Sequence, residues 1–224
     1  MDKGTSRKFM IWTGMLLAWL AVILQFYLML ENRIASVPET VIRFFSFYTI
    51  LTNILVAICY TTLIRKGIWF SFFSFSKTLT AITVYIVIVG AVYNLILRHI
   101  WQPQGLQLIV DELLHSVNPV LFLLFWVFFV KKADLKYHEA EFSTHSHGKK
   151  IQFMDVLPWL LYPLVYLFYI LIRGAFAHWY PYPFVDVDQL GISKVLINSL
   201  FLTLTFIGVS FLFIVLGKSG IKKP

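Results

Sequence analysis

The chain has 224 residues, of which 59% are hydrophobic and only 13% charged, and its mean hydropathy is +0.77. Soluble domains are about a quarter charged, so this chain lacks the charge to coat a water-facing surface, and both a soluble globular enzyme and a disordered chain are excluded. The formal charge of +8 does not point to nucleic acid, because the basic residues form short clusters between apolar runs, as in loops beside a membrane.

A helix needs about 20 mostly apolar residues to cross the hydrocarbon core. Six stretches qualify: 9–30, 44–64, 78–97, 110–130, 155–173 and 194–216. Nearly continuous apolar sequence of that length satisfies its backbone in lipid only as helix, and the alternation of a barrel strand is missing. The expected fold is therefore all-α: a six-transmembrane-helix bundle forming a single integral membrane domain over residues 1–224.

Lys3, Arg7 and Lys8 precede the first stretch as they would a signal peptide, but it is long for one and five more follow, so it is expected to be retained. The second stretch opens RFFSFYTILTNILV. In a continuous helix Ser46, Thr49 and Asn53 share a face, with Thr52 a further hydroxyl three residues beyond Thr49. Cys59 follows; a lone cysteine allows neither an intramolecular disulfide nor a Cys-x-x-Cys motif.

The third stretch ends YNLILRH, pairing Asn94 and Arg98 four residues apart, and the fourth begins DELLHSVNP. Its His115 is the one ionisable side chain well inside a span, about 9 Å below the surface at 1.5 Å per residue. Asp111 lies one turn before it, and Glu112 and Asn118 are each three residues away. The loop at 131–154 holds His138, His145 and His147, but no carboxylate or cysteine completes a ligand set, so it reads as solvated. Arg173 ends the fifth stretch, and Asn198 lies near the start of the sixth.

With six spans the termini and the second and fourth loops share one side. That side carries 14 of the 19 Lys and Arg residues and the other 5 (Arg33, Arg43, Arg98, Arg173, Lys194). The positive-inside rule then puts both termini in the cytoplasm and the polar pocket in the non-cytoplasmic half.

A hydroxyl becomes a useful nucleophile when a base takes its proton, and imidazole is the usual base. Thr49 and His115 fit those roles if the second and fourth helices face each other, with Asp111 orienting the ring. Asn53, Asn94 or Asn118 would donate to an oxyanion, and Arg98 or Arg173 would hold a substrate carboxylate or phosphate. At this depth the reacting carbonyl belongs to a membrane lipid, so cleavage or transfer of an acyl ester is the expected chemistry.

Three segments carry a family likeness: FYTILTN with Thr49, LLHSVNPVLF with His115 and Pro119, and HWYPYPFVDVDQLG with Tyr182, Pro183 and Phe184. The chain resembles a bacterial-type member of the androgen-induced family of six-helix membrane proteins. The resemblance implies an intramembrane threonine hydrolase of the bacterial cytoplasmic membrane, acting on fatty acid esters of hydroxy fatty acids without metal or diffusible cofactor. Thr49 would be the nucleophile, with Thr52 as the alternative, and His115 the base. Membrane lipid and a lipid-ester substrate are the expected partners, and nucleic acid is not. The same polar cluster would also suit a small-molecule or lipid transporter or binding protein, or a membrane acyltransferase. Against a transporter, no inverted repeat and no matched pair of broken spans is visible.

Overall fold

The structure, a computed structural model, describes residues 3–64, 72–130 and 151–218. The three loop histidines, His138, His145 and His147, lie outside the described residues, as do several of the basic loop residues. All regular structure among the described residues is helical: α1 (Lys3–Glu31), α2 (Val37–Phe45), α3 (Tyr48–Ile64), α4 (Ser76–Leu95), α5 (Gly105–Val130), α6 (Val156–Ala177), the single turn α7 (Val187–Leu190) and α8 (Ile192–Lys218). The fold is an all-α membrane bundle. Five helices are long and apolar enough to cross a bilayer, and α2 with α3 forms a bent pair that supplies the sixth span. The outward faces are greasy, as lipid contact requires: Leu157, Leu161, Val165 and Phe168 on α6, and Leu196, Leu200 and Leu204 on α8, are all exposed. By contrast α4 runs through the middle, with every residue from Leu79 to Ile86 buried.

The second span departs from the continuous helix expected over 44–64. It breaks at Ser46 and Phe47, and α2 meets α3 at 69°. Ser46 therefore belongs to the end of α2 and does not share a face with Thr49. A break inside a membrane leaves backbone groups unpaired where no water can reach them, and here two tyrosines answer them. Tyr166 donates to the Ser46 carbonyl (2.8 Å) and accepts from the Tyr48 N–H (3.2 Å); the Tyr182 hydroxyl accepts from the Thr49 N–H (3.2 Å). Tyr169 lies 2.8 Å from Ser46 Oγ, which itself donates to the Ile42 carbonyl.

Two prolines inside helices create the same problem and are answered the same way. Pro163 in α6 lacks the N–H that would bond the Trp159 carbonyl, and Tyr85 of α4 donates to that carbonyl at 2.6 Å. Pro119 in α5 likewise denies its usual donor to the His115 carbonyl, and Asn94 of α4 donates to it at 3.3 Å. Just before Pro119 the helix widens into a π turn over Leu113–Val117. Such bulges are frequent at functional positions, and this one carries His115. Gly90 lets α4 approach it: a Cβ there would sit 3.0 Å from the His115 carbonyl oxygen and 3.1 Å from Pro119.

Candidate active site

At the end of the bundle away from the chain termini, a cavity of about 580 Å³ opens between α1, α2, α3, α4, α5 and the segment after α6. Thr49 and His115 both line it, from α3 and α5, as do Tyr93, Asp111 and Tyr182. Its size is that of a small-molecule site.

Thr49 differs from most of the threonines of the spans. Thr61, Thr62, Thr80, Thr83, Thr203 and Thr205 each donate to a carbonyl three or four residues earlier on the same helix, the ordinary behaviour of threonine in a membrane helix. Thr49 is the second residue of α3, so the carbonyl it would use lies across the break. Its Oγ instead meets the Tyr182 hydroxyl at 3.3 Å. Thr52 also bonds a tyrosine, Tyr162 at 3.1 Å, but it is fully buried and lies on neither this cavity nor the smaller pocket beside it. Of these two hydroxyls, the one on the cavity wall is that of Thr49.

The imidazole of His115 stacks on the Tyr93 ring, with centroids 3.9 Å apart and planes 13° from parallel. Its Nδ1 lies 2.9 Å from the backbone carbonyl of Asp111. A carbonyl can only accept, so Nδ1 carries the proton and the neutral ring keeps its lone pair on Nε2. No group among the described residues hydrogen-bonds Nε2.

The expected part of Asp111 is corrected in one respect. Its carboxylate does not touch the imidazole; it accepts from the Tyr93 hydroxyl (3.0 Å), Trp101 Nε1 (2.8 Å) and Gln107 Nε2 (3.1 Å). The backbone orients the ring, because a residue one helical turn earlier presents its carbonyl, not its side chain, along the helix axis. Gln107 also donates to Gln25 of α1 at 2.8 Å, tying α1 into the network.

The three asparagines hold helices together and do not line the cavity, so an oxyanion role is corrected as well. Asn53 donates to the carbonyls of Thr49 (2.9 Å) and Leu114 (3.2 Å) and accepts from Asn118 (2.9 Å). Asn94 donates to the carbonyls of Gly90 (2.9 Å) and His115. Both N–H groups of Asn53 and Asn94 are thereby used, one on a carbonyl of its own helix and one on a carbonyl of the π turn, Leu114 or His115. Asn198 donates to Phe184 at 2.9 Å, fixing the segment after α6 against α8.

The two expected anion-holding arginines are also engaged away from the cavity wall. Arg98 pairs with Glu112 at 2.5 Å and lies over the Tyr93 ring, 5.3 Å from its centroid. Arg173 pairs with Glu39 at 2.6 Å. Arg43 shares that carboxylate at 2.7 Å, and the Trp179 ring takes both guanidinium groups, at 4.9 Å and 4.7 Å. The arginines that do line the cavity are Arg33 and Arg43.

Tyr182 is the residue that residue-by-residue reading missed. Its hydroxyl touches both the amide and the side chain of Thr49, and burial raises its phenol above the ordinary value, so it remains a protonated donor. The Trp-Tyr-Pro-Tyr-Pro run at 179–183, which sets two phenol hydroxyls on a proline-stiffened segment beside a span, was the available signal. Among the described residues no three His, Cys, Asp or Glu side chains are grouped to hold a metal ion. No protein-family model, curated protein or solved structure matches this chain.

Proposed function

We propose that the protein is an intramembrane lipid-ester hydrolase with Thr49 as nucleophile and His115 as base. The observation that carries this reading is a single cavity walled by both a threonine hydroxyl freed from backbone bonding and an imidazole whose lone pair is held on Nε2. The likeness of FYTILTN, LLHSVNPVLF and the segment around Tyr182 to the androgen-induced family supports it, and fatty acid esters of hydroxy fatty acids are the substrate class that likeness suggests. The charge asymmetry of the loops supports an orientation with both termini inside and the cavity toward the outer face, and the family likeness suggests a bacterial cytoplasmic membrane.

In the first half-reaction Thr49 Oγ bonds to the ester carbonyl carbon and its proton passes to His115 Nε2. The tetrahedral oxyanion collapses, the carbon–oxygen bond to the alcohol breaks, and the alcohol leaves with the proton from His115. Water then attacks the acyl-threonine, giving its proton to His115. Collapse releases the carboxylic acid and returns the proton to Thr49. With the asparagines engaged elsewhere, the Tyr182 hydroxyl and the positive amino end of α3 serve the oxyanion.

A fluorophosphonate should label the detergent-solubilised protein, and Thr49→Ala and His115→Ala should each abolish labelling while Thr52→Ala labels like the parent. Full labelling of Thr49→Ala would remove the nucleophile from this scheme.

A further inference from the structure

Thr49 and Tyr182 stand on a wall shared by two hollows. On one side is the polar cavity with His115; on the other is a smaller pocket of about 100 Å³ between α4, α6 and α8. The smaller one is lined by Val92, Leu160, Leu164, Leu202 and Phe206, with few polar atoms. Val92, Leu160, Leu164 and Leu202 are half-buried, so the pocket continues to the lipid-facing surface of the bundle. The main cavity carries Gln25, Asn32, Arg33 and Arg43.

We propose that the apolar pocket is the acyl-chain subsite and the polar cavity the exit for the alcohol half, with the scissile ester held at Thr49 between them. This rests on the hydrolase reading and adds to it a division of the substrate. An ester whose carbonyl carbon lies at Thr49 Oγ has two arms. The acyl arm is hydrocarbon from the carbonyl outward and gains by entering a wall of leucine, valine and phenylalanine, at about 0.8 kcal/mol per methylene buried, whereas a polar head on the alcohol arm would lose its partners there. The oxygen of the other arm must receive a proton from His115, and His115 is on the polar side. An apolar cavity of about 150 Å³ accepts a benzene ring, so the pocket takes the first few methylenes next to the carbonyl and the rest of the chain runs out into lipid. The favoured substrate is then an ester of an unbranched acyl chain with a polar-headed alcohol.

The test compares labelling rates for two fluorophosphonates, one with a short and one with a long alkyl arm, in the intact solubilised protein. The short probe reports the nucleophile alone, and the long-to-short ratio reports the pocket. Leu164→Phe and Val92→Phe, which narrow the pocket from two different helices, should lower that ratio by about tenfold or more. Leu164→Ala, which widens it, should leave the ratio at or above that of the parent. Unchanged ratios in both phenylalanine variants, with short-probe labelling intact and dependent on Thr49, would overturn the subsite and leave the hydrolase standing. A parent that the short probe does not label would overturn both.

Discussion

The imidazole of His115 is oriented by a main-chain carbonyl, and this separates the site from a Ser-His-Asp arrangement in a measurable way. When a triad aspartate is made into asparagine the histidine adopts the wrong tautomer, and turnover falls by about 10⁴. Here the Asp111 carbonyl survives the substitution, so Asp111→Asn should leave fluorophosphonate labelling within about tenfold of the parent, a much smaller loss than in that triad. Its cost falls on stability. An amide presents one acceptor oxygen where the carboxylate presented two to Tyr93, Trp101 and Gln107, and an orphaned buried donor costs about 1–3 kcal/mol, read as a lower unfolding temperature in detergent. Tyr182→Phe should lower both activity and stability, since it also removes the acceptor of the Thr49 N–H. Losing one oxyanion donor costs about 10²–10³ in kcat, with KM little changed because the ring still packs against Phe47 and Phe184. A Tyr182→Phe variant with parental kcat would show that the hydroxyl serves the α3 amide alone. That Thr49 and His115 could face one cavity was legible from their places in the second and fourth stretches. Their partners were not, since Tyr93, Trp101 and Tyr182 read as ordinary interfacial aromatics.

Helix existence was legible from apolar length, and the six expected stretches overlap the observed helices closely. The break between α2 and α3 was not, because FSFYT contains neither glycine nor proline. The cause lies in α6 and the segment after it, whose tyrosines bond the backbone at Ser46, Tyr48 and Thr49. A tertiary contact cannot be read from the strand of sequence it distorts. Pro119 was visible, yet its consequence depended on Asn94 across the helix interface. The same interface makes Gly90 a sensitive position. A methyl group there must push the His115 carbonyl or Pro119 aside by a few tenths of an ångström. Gly90→Ala should therefore lower stability by about 1–3 kcal/mol and slow labelling at Thr49, because the turn that moves is the one carrying the base. If Gly90→Ala unfolds earlier but labels at the parental rate, α4 supports α5 without setting the position of the imidazole.

At the level of the whole molecule, the location of the chemistry depends on which way the bundle faces. The cavity lies at the end opposite the termini, and the reading that puts it toward the outer face rests on the 14 to 5 split of basic residues between the two sides. The protein offers a clean way to check it. Its single cysteine, Cys59, is fully buried in the core, so the parent should give no signal with a membrane-impermeant maleimide. Thr5, near the start of α1, and Ser36, between α1 and α2, are both exposed and lie at opposite ends of the first span. In intact cells Ser36→Cys should label and Thr5→Cys should not, with Thr5→Cys labelling only after the membrane is permeabilised. The reverse pattern would place the cavity on the cytoplasmic side. Its substrates would then be drawn from the inner leaflet, and Arg33 and Arg43 at its mouth would face the interior of the cell.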